Sequence, residues 1–401
     1  MLGIGAIIGT GIFVLTAEAA QKAGPGMMVS FLIAGFVCAV TALCYAEMAS
    51  MIPVSGSAYT YSYGVLGERV AWGVGWALIL EYAIAASTVS VGWSGYVVGI
   101  LHHLNALVPF LPNIDVPTAW VAGPYDGGVL NVPALFISLL VTALLVIGTR
   151  ESAAVNAFLV AIKILALIVF VVLALPVMNL ENFHPFAPNG WIGKGVAPAA
   201  ASIFFAYVGF DAVSTAAEET KNPNRNIPIG LIGSLAICTV FYILVAAGAI
   251  GSLGAQPIMG PDGSALEPGS PELAAACKVA SQLVCSKEPL AYVLRTMGHA
   301  HIGNLIGLAA TIALPSVILM MIFGQTRIFF SMARDGLLPQ VFTRIHAKFK
   351  TPHVVTMATG VFASFFAALF PVGKLADISN SGTLRSEEHT SELQSHSFIS
   401  Y

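Results

Sequence analysis

The apolar positions of this chain fall in long, unbroken runs, and its polar residues gather in the short stretches between them. A helix that crosses a bilayer needs about 20 mostly apolar residues, because no water is present to pair an open backbone. Runs of that kind lie near 2–17, 27–51, 70–101, 130–149, 156–178, 196–217, 229–251, 302–332 and 354–371, which predicts nine spans. A transmembrane barrel shows short alternating segments instead. The pattern therefore predicts an all-α polytopic membrane protein. Its third and eighth spans are the longest.

Composition agrees. Of 401 residues 57% are hydrophobic and 9% charged, where soluble domains carry roughly 25% charged residues. A net charge of −3 gives no electrostatic basis for binding nucleic acid. No phosphate loop, nucleophile elbow or metal-ligand spacing is visible, so neither an enzyme, a cofactor nor a metal is expected. Cys38, Cys44 and Cys238 fall inside spans as packing residues. Cys277 and Cys285 share the long loop 252–301, where a disulfide is plausible if that compartment is oxidising.

Basic residues orient the spans. One side collects nine of them: Arg69, Arg150, Lys221, Arg225, Arg327, Arg334, Arg344, Lys348 and Lys350. The other collects six: Lys22, Lys194, Lys278, Lys287, Arg295 and Lys374. The first side is expected to be cytoplasmic, with the N-terminus on it and 252–301 outside. The first span opens at once from Met1 with no basic region or cleavage site, so it reads as a helix whose beginning is missing rather than a signal peptide. Residues 375–384 look like the start of a tenth helix, and 385–401 turn polar with no apolar face, as a foreign tail would.

Two spans are interrupted. Gly3, Gly5, Gly9 and Gly11 crowd the first, and Phe204-Phe205-Ala206-Tyr207-Val208-Gly209-Phe210-Asp211 places a glycine and an acid inside the sixth. Glycines also permit close helix packing, and small-xxx-small spacing accounts for Gly5 and Gly9. It does not account for the added Thr10-Gly11 or the matching break. If the repeating unit is five spans, 1 pairs with 6 and 3 with 8, and the odd number sets the units 1–178 and 196–384 in opposite topology. Broken helices at matching positions of inverted repeats point to a transporter's binding site.

Three motifs carry a family resemblance. Gly3-Ile4-Gly5-Ala6-Ile7-Ile8-Gly9-Thr10-Gly11-Ile12-Phe13 resembles the first helix of the amino acid–polyamine–organocation transporters. Tyr45-Ala46-Glu47-Met48-Ala49-Ser50-Met51-Ile52-Pro53-Val54-Ser55-Gly56-Ser57 is similar to the bacterial form of their cationic amino acid transporter branch. So is Gly324-Gln325-Thr326-Arg327-Ile328-Phe329-Phe330-Ser331-Met332-Ala333-Arg334-Asp335-Gly336 at the end of span 8. The likeness covers about residues 1–384. It implies a five-plus-five inverted-repeat fold like that of the leucine transporter, with the second repeat incomplete here. It also implies carriage of an L-amino acid, cationic or small and neutral, by alternating access across the cytoplasmic membrane.

On that resemblance, Ile8, Gly9, Thr10 and Gly11 would cradle the substrate carboxylate, since a broken helix offers N–H groups at a positive dipole end. Carbonyls of Phe205, Ala206 and Val208 would face the ammonium. The Phe205 ring would gate the site, with Asp211 gating or capping. Lys163, in mid-span 5, stands where sodium-coupled relatives hold a cation, which argues for protons and against sodium. A static lysine capping carbonyls of span 1 is the plainer alternative. Glu81 in span 3 is a proton site, a selector for a cationic side chain, or one end of an ion pair. Met320 and Met321 are further candidates to line the pocket. The expected function is proton symport. An exchanger of the same fold and a non-transporting sensor are the alternatives.

Overall fold

The computed structural model describes all residues except 1, 52–56, 109, 149–152, 212–219, 221, 262, 281 and 382–401. The proposed foreign tail, 385–401, and the C-terminal part of the expected sixth span, 212–217, lie outside the described residues. Among the described residues the elements are helical apart from one isolated bridge, Met259 to Ala265.

Span 2 is Met27–Met51, span 3 Glu68–His102, span 4 Val132–Ile147 and span 5 Ala153–Ala174. Span 7 is Pro223–Leu253, span 8 Ala300–Arg334 and span 9 His353–Leu369. Among the described residues, five helices are long and apolar enough to cross a membrane, and Val132–Ile147, Val196–Tyr207 and His353–Leu369 are shorter apolar ones. Spans 3 and 8 have 35 residues each. At 1.5 Å per residue that is about 50 Å, longer than the ~30 Å hydrocarbon core, so they tilt or project. Span 1 is divided into Leu2–Ile7, Thr10–Phe13 and Leu15–Ala23, and continues past the expected end at 17. The chain forms a further helix over 372–381.

Burial separates a rim from a centre. Phe36, Leu43, Phe136, Phe158, Leu165, Val172, Val240, Val361 and Phe365, on spans 2, 4, 5, 7 and 9, expose large apolar side chains. Such a belt is stable only against lipid. Among the described residues of spans 1 and 6, no large apolar side chain is exposed. Span 2 packs most extensively on span 7, span 3 on span 8, and span 4 on span 9. Spans 1 and 6 stand inside that frame. The seam between spans 3 and 8 also resolves a proline. Pro315 has no N–H for the carbonyl of Thr311, and Trp93 Nε1 donates to that carbonyl at 2.8 Å.

The loop between spans 7 and 8 contains the short helix Pro289–Thr296 and a disulfide joining Cys277 to Cys285. Arg295 forks onto the Glu288 carboxylate, through Nη1 to Oε1 and through Nη2 to Oε2 at 3.2 Å, and its Nε donates to Asn304 Oδ1 at 2.7 Å. Burial pushes the Glu288 carboxyl up from its ordinary range, and Arg295 pulls it back. Removing one partner of a buried pair costs about 3–5 kcal/mol, because the other charge is left without compensation. Arg295→Gln is therefore expected to lower the thermal midpoint clearly at neutral pH. The loss is expected to shrink in mildly acidic medium, where Glu288 takes up a proton. An equal loss at both pH values contradicts this.

Candidate functional site

Span 1 leaves helical geometry at Ile8 and Gly9 and again at Val14. Each interruption frees carbonyls that a membrane interior cannot solvate. Three buried donors from three other spans meet them. Lys163 Nζ of span 5 donates to the Gly5 carbonyl at 2.9 Å. The Tyr96 hydroxyl of span 3 donates to Phe13 at 2.7 Å. The Tyr242 hydroxyl of span 7 lies 2.8 Å from the carbonyls of both Ile7 and Ala206. One phenolic proton thus ties the break of span 1 to the break of span 6.

Span 6 runs as an α-helix over Val196–Ile203, tightens to a 3₁₀ turn over Phe204–Tyr207, and then opens. Gly209 has φ +103°, a conformation that glycine alone adopts easily. A Cβ there would also stand 2.9 Å from Met321 Cε and 3.2 Å from the Ala6 carbonyl oxygen. The two breaks meet backbone to backbone, since a Cβ on Gly11 would come within 2.5 Å of Ala206 Cβ.

Between the breaks lies a small cavity. Span 1 contributes Ala6, Ile7, Gly9, Thr10 and Gly11, and span 6 contributes Phe205 and Val208. Ala85 and Val89 of span 3 face Val317 and Met321 of span 8 to complete the wall. About 10 Å³ is open to a water centre, the room of roughly one water. Anything larger enters only as wall side chains such as Phe205 and Met321 move. Two features give the cavity a polar edge. The helix Thr10–Phe13 starts there with Gly9 as an N-cap that offers no side-chain acceptor, so its first N–H groups have no intrahelical acceptor. The Thr10 hydroxyl is buried without a hydrogen-bond partner among the described residues. The other walls carry no charge.

The expected site residues divide accordingly. Gly9, Thr10, Gly11, Phe205 and Val208 line the cavity, whereas Ile8 and Ala206 do not. Ile8 is buried in the core. Ala206 supplies the backbone surface on which Gly11 rests. The Phe205 carbonyl accepts from the Val208 N–H at 3.1 Å. Met321 lines the cavity and Met320 does not. Glu81 is buried but lies outside the cavity wall, and its carbonyl accepts from Ser379 Oγ at 3.1 Å. Asp211 accepts from the Tyr82 hydroxyl at 2.5 Å and from Ser57 Oγ at 3.3 Å. Just past the break, it links span 6 to span 3 and to the short helix Ser57–Leu66.

Tyr242 was not singled out in the sequence. The one signal for it is general: a buried tyrosine hydroxyl in an apolar run needs a partner. Tyr242→Phe is expected to leave two carbonyls short of a donor, at about 1–3 kcal/mol each if they stay dry. Thermal unfolding should show a midpoint several degrees lower. An unchanged midpoint would mean that the hydroxyl does not hold the breaks together.

A helical membrane frame around two interrupted spans, with a cavity between the interruptions, is the architecture of a membrane transport protein. The chain belongs to the amino acid permease family, whose model it matches over residues 1–384. It is 42% identical over 390 residues to the branched-chain amino acid permease BcaP of Bacillus subtilis, covering 96% of this chain and 76% of that protein. Identity is 40% over 387 residues to the methylthioribose transporter of the same organism, with the same coverage. Cationic amino acid transporter 9, chloroplastic, of Arabidopsis thaliana is 36% identical over 96% of this chain and 62% of its own length.

Proposed function

We propose that this permease carries a neutral, aliphatic L-amino acid by proton symport, without sodium. The observation that carries the substrate class is the cavity's division into a donor-rich edge at Gly9–Gly11 and an otherwise apolar wall. A carboxylate suits the unpaired N–H groups and the Thr10 hydroxyl. An aliphatic side chain suits Ala85, Val89, Val317 and Met321. A cationic side chain would need an acid in the wall, and Glu81 is not in it. The name of the branched-chain relative supports the same substrate class.

Lys163 supports the coupling. Its ammonium occupies the interior beside span 1 and reaches the Gly5 carbonyl. A second cation would meet that charge. We take Phe205 as the gate, Asp211 as its inner tie, and 1–178 and 196–384 as repeats in opposite topology. The pairing of span 2 with 7, 3 with 8 and 4 with 9 supports the last assignment. The protein would sit in the cytoplasmic membrane with the nine-residue basic side facing inward.

Uptake of L-leucine into proteoliposomes tests the reading. An inward proton gradient should drive accumulation in sodium-free buffer, with no internal substrate. Accumulation only against preloaded amino acid would make the protein an exchanger. Binding without accumulation would make it a sensor. Methylthioribose in place of leucine as the accumulated solute would overturn the substrate class.

A further inference from the structure

Beyond the cavity, on the side of loop 252–301, a second polar cluster joins three segments. The position is fixed by Gln21, whose Nε2 donates to the carbonyls of Ile258 and Leu266 in that loop, at 2.9 Å each. Lys22, at the outer end of span 1, donates to Ser202 Oγ of span 6 and lies 3.5 Å from Asp377 Oδ2 of helix 372–381. Ser202 Oγ in turn donates to Asp377 Oδ1 at 2.8 Å. Asn380 Nδ2 adds a second tie from the same helix to span 6, donating to the Ala201 carbonyl at 2.7 Å. Ser202 is three residues before Phe205, so the cluster stands about one turn from the cavity wall.

Glu18 completes it, one turn before Lys22. Its carboxyl lies against the backbone of Gly373, where an added Cβ would sit 2.8 Å from Glu18 Cδ. Its Oε2 is buried with no hydrogen-bond partner among the described residues. The charges around it are few. Lys22 is the cation on its own helix, and it is engaged by Ser202 and Asp377. Helix 372–381 adds Asp377 and Lys374, and the Lys374 ammonium is turned over the Tyr125 ring at 4.4 Å from its centre. From the loop side Asp126 acts on Glu18, with its own charge held by Lys287 at 3.1 Å. Two carboxylates, Glu18 and Asp377, therefore share one ammonium, and the geometry gives that ammonium to Asp377.

We infer that Glu18, Lys22, Ser202 and Asp377 form a proton-binding latch that draws the outer ends of spans 1 and 6 and helix 372–381 together over the cavity, with Glu18 taking up one proton as it closes. Asp377 is half-exposed even in this arrangement; when the ends part, water reaches Glu18 too, and it can stay ionised. When they meet, the carboxyl loses its water and Oε2 gains no donor; the Gly373 N–H and the engaged Lys22 offset only part of that loss, so the neutral acid costs less to bury than the carboxylate. Closure and proton uptake then favour each other by linkage. The inference rests on the transport reading only in treating the cavity as the substrate's, and its test needs no substrate.

A cysteine placed at Val89 on the cavity wall, in the otherwise unaltered chain in liposomes, reports access from the loop side to a membrane-impermeant maleimide. Its rate is divided by that of a cysteine at Ile192, 88% exposed on the same side, which cancels the reagent's own pH dependence. The ratio is expected to fall at least about fivefold from alkaline to mildly acidic medium, the low end of ordinary site-to-site coupling. With Glu18→Gln added, it should stay low at every pH. With Lys22→Gln instead, it should rise at every pH, because the tie is cut. A ratio independent of pH in the unsubstituted background overturns the latch, as does a slope retained in Glu18→Gln or a rate unchanged in Lys22→Gln. These readings hold whether or not leucine is transported, so failure of the latch and failure of the substrate reading are told apart.

Discussion

Gly11→Ala is expected to reduce amino acid uptake by roughly 10–100-fold. The added methyl would stand within 2.5 Å of Ala206 Cβ, and neither side can give way easily. Gly11 sits in the first turn after one break, and Ala206 sits in the turn that leads into the other. Tyr242 pins both, through Ile7 and Ala206. Overpacking of a tight contact costs about 1–3 kcal/mol, and each 1.4 kcal/mol is tenfold in a binding constant. Gly73→Ala is the matched control. A Cβ on Gly73 meets nothing within 4 Å, so uptake should stay at the parent level. Equal uptake by the two variants in proteoliposomes would mean that the breaks do not need to touch.

Lys163→Ala is expected to abolish the dependence of uptake on the proton gradient. The side chain is 1% exposed, its ammonium reaches the Gly5 carbonyl at 2.9 Å, and a bare ammonium in the membrane interior costs several kcal/mol. Retaining that cost is understandable if the charge works in the cycle. Without it, uptake should become small and insensitive to an inward proton gradient, in sodium or without it. A Lys163→Ala chain whose uptake still rises with that gradient, as the parent's does, would leave the lysine as a static cap on span 1.

Much of the frame is legible in the sequence because a membrane makes its demand locally. Each span needs its own apolar run, so the long runs read out directly, and the glycines of span 1 and the Gly209 region mark where helices cannot continue. Lys163 is legible for a related reason, since one ammonium in an apolar run implies a partner nearby. The residues that close the breaks are not legible in that way. Tyr96 and Tyr242, like Trp93 at the Pro315 carbonyl gap, carry no spacing signal, because the carbonyls they reach belong to other spans and are chosen by packing.

The same limit explains Glu81. It shares a helix face with Ala85 and Val89 at intervals of four, and the cavity begins at Ala85. One helical turn, about 5 Å along the axis, separates a residue that lines the site from one that does not. The helix Pro289–Thr296, eight residues inside a polar loop, is too short to announce itself by periodicity. The cluster of Glu18, Lys22, Ser202 and Asp377 spans more than 350 positions in sequence, and only the fold brings it together.

The measurement that bears most directly on the substrate account is equilibrium binding of radiolabelled L-leucine to the purified chain, with competition. L-valine and L-isoleucine are expected to displace it, L-arginine to leave it bound, and Gly11→Ala to show no specific binding. Displacement by L-arginine as effective as by L-valine, or full binding by Gly11→Ala, would contradict an aliphatic substrate held between the two broken spans.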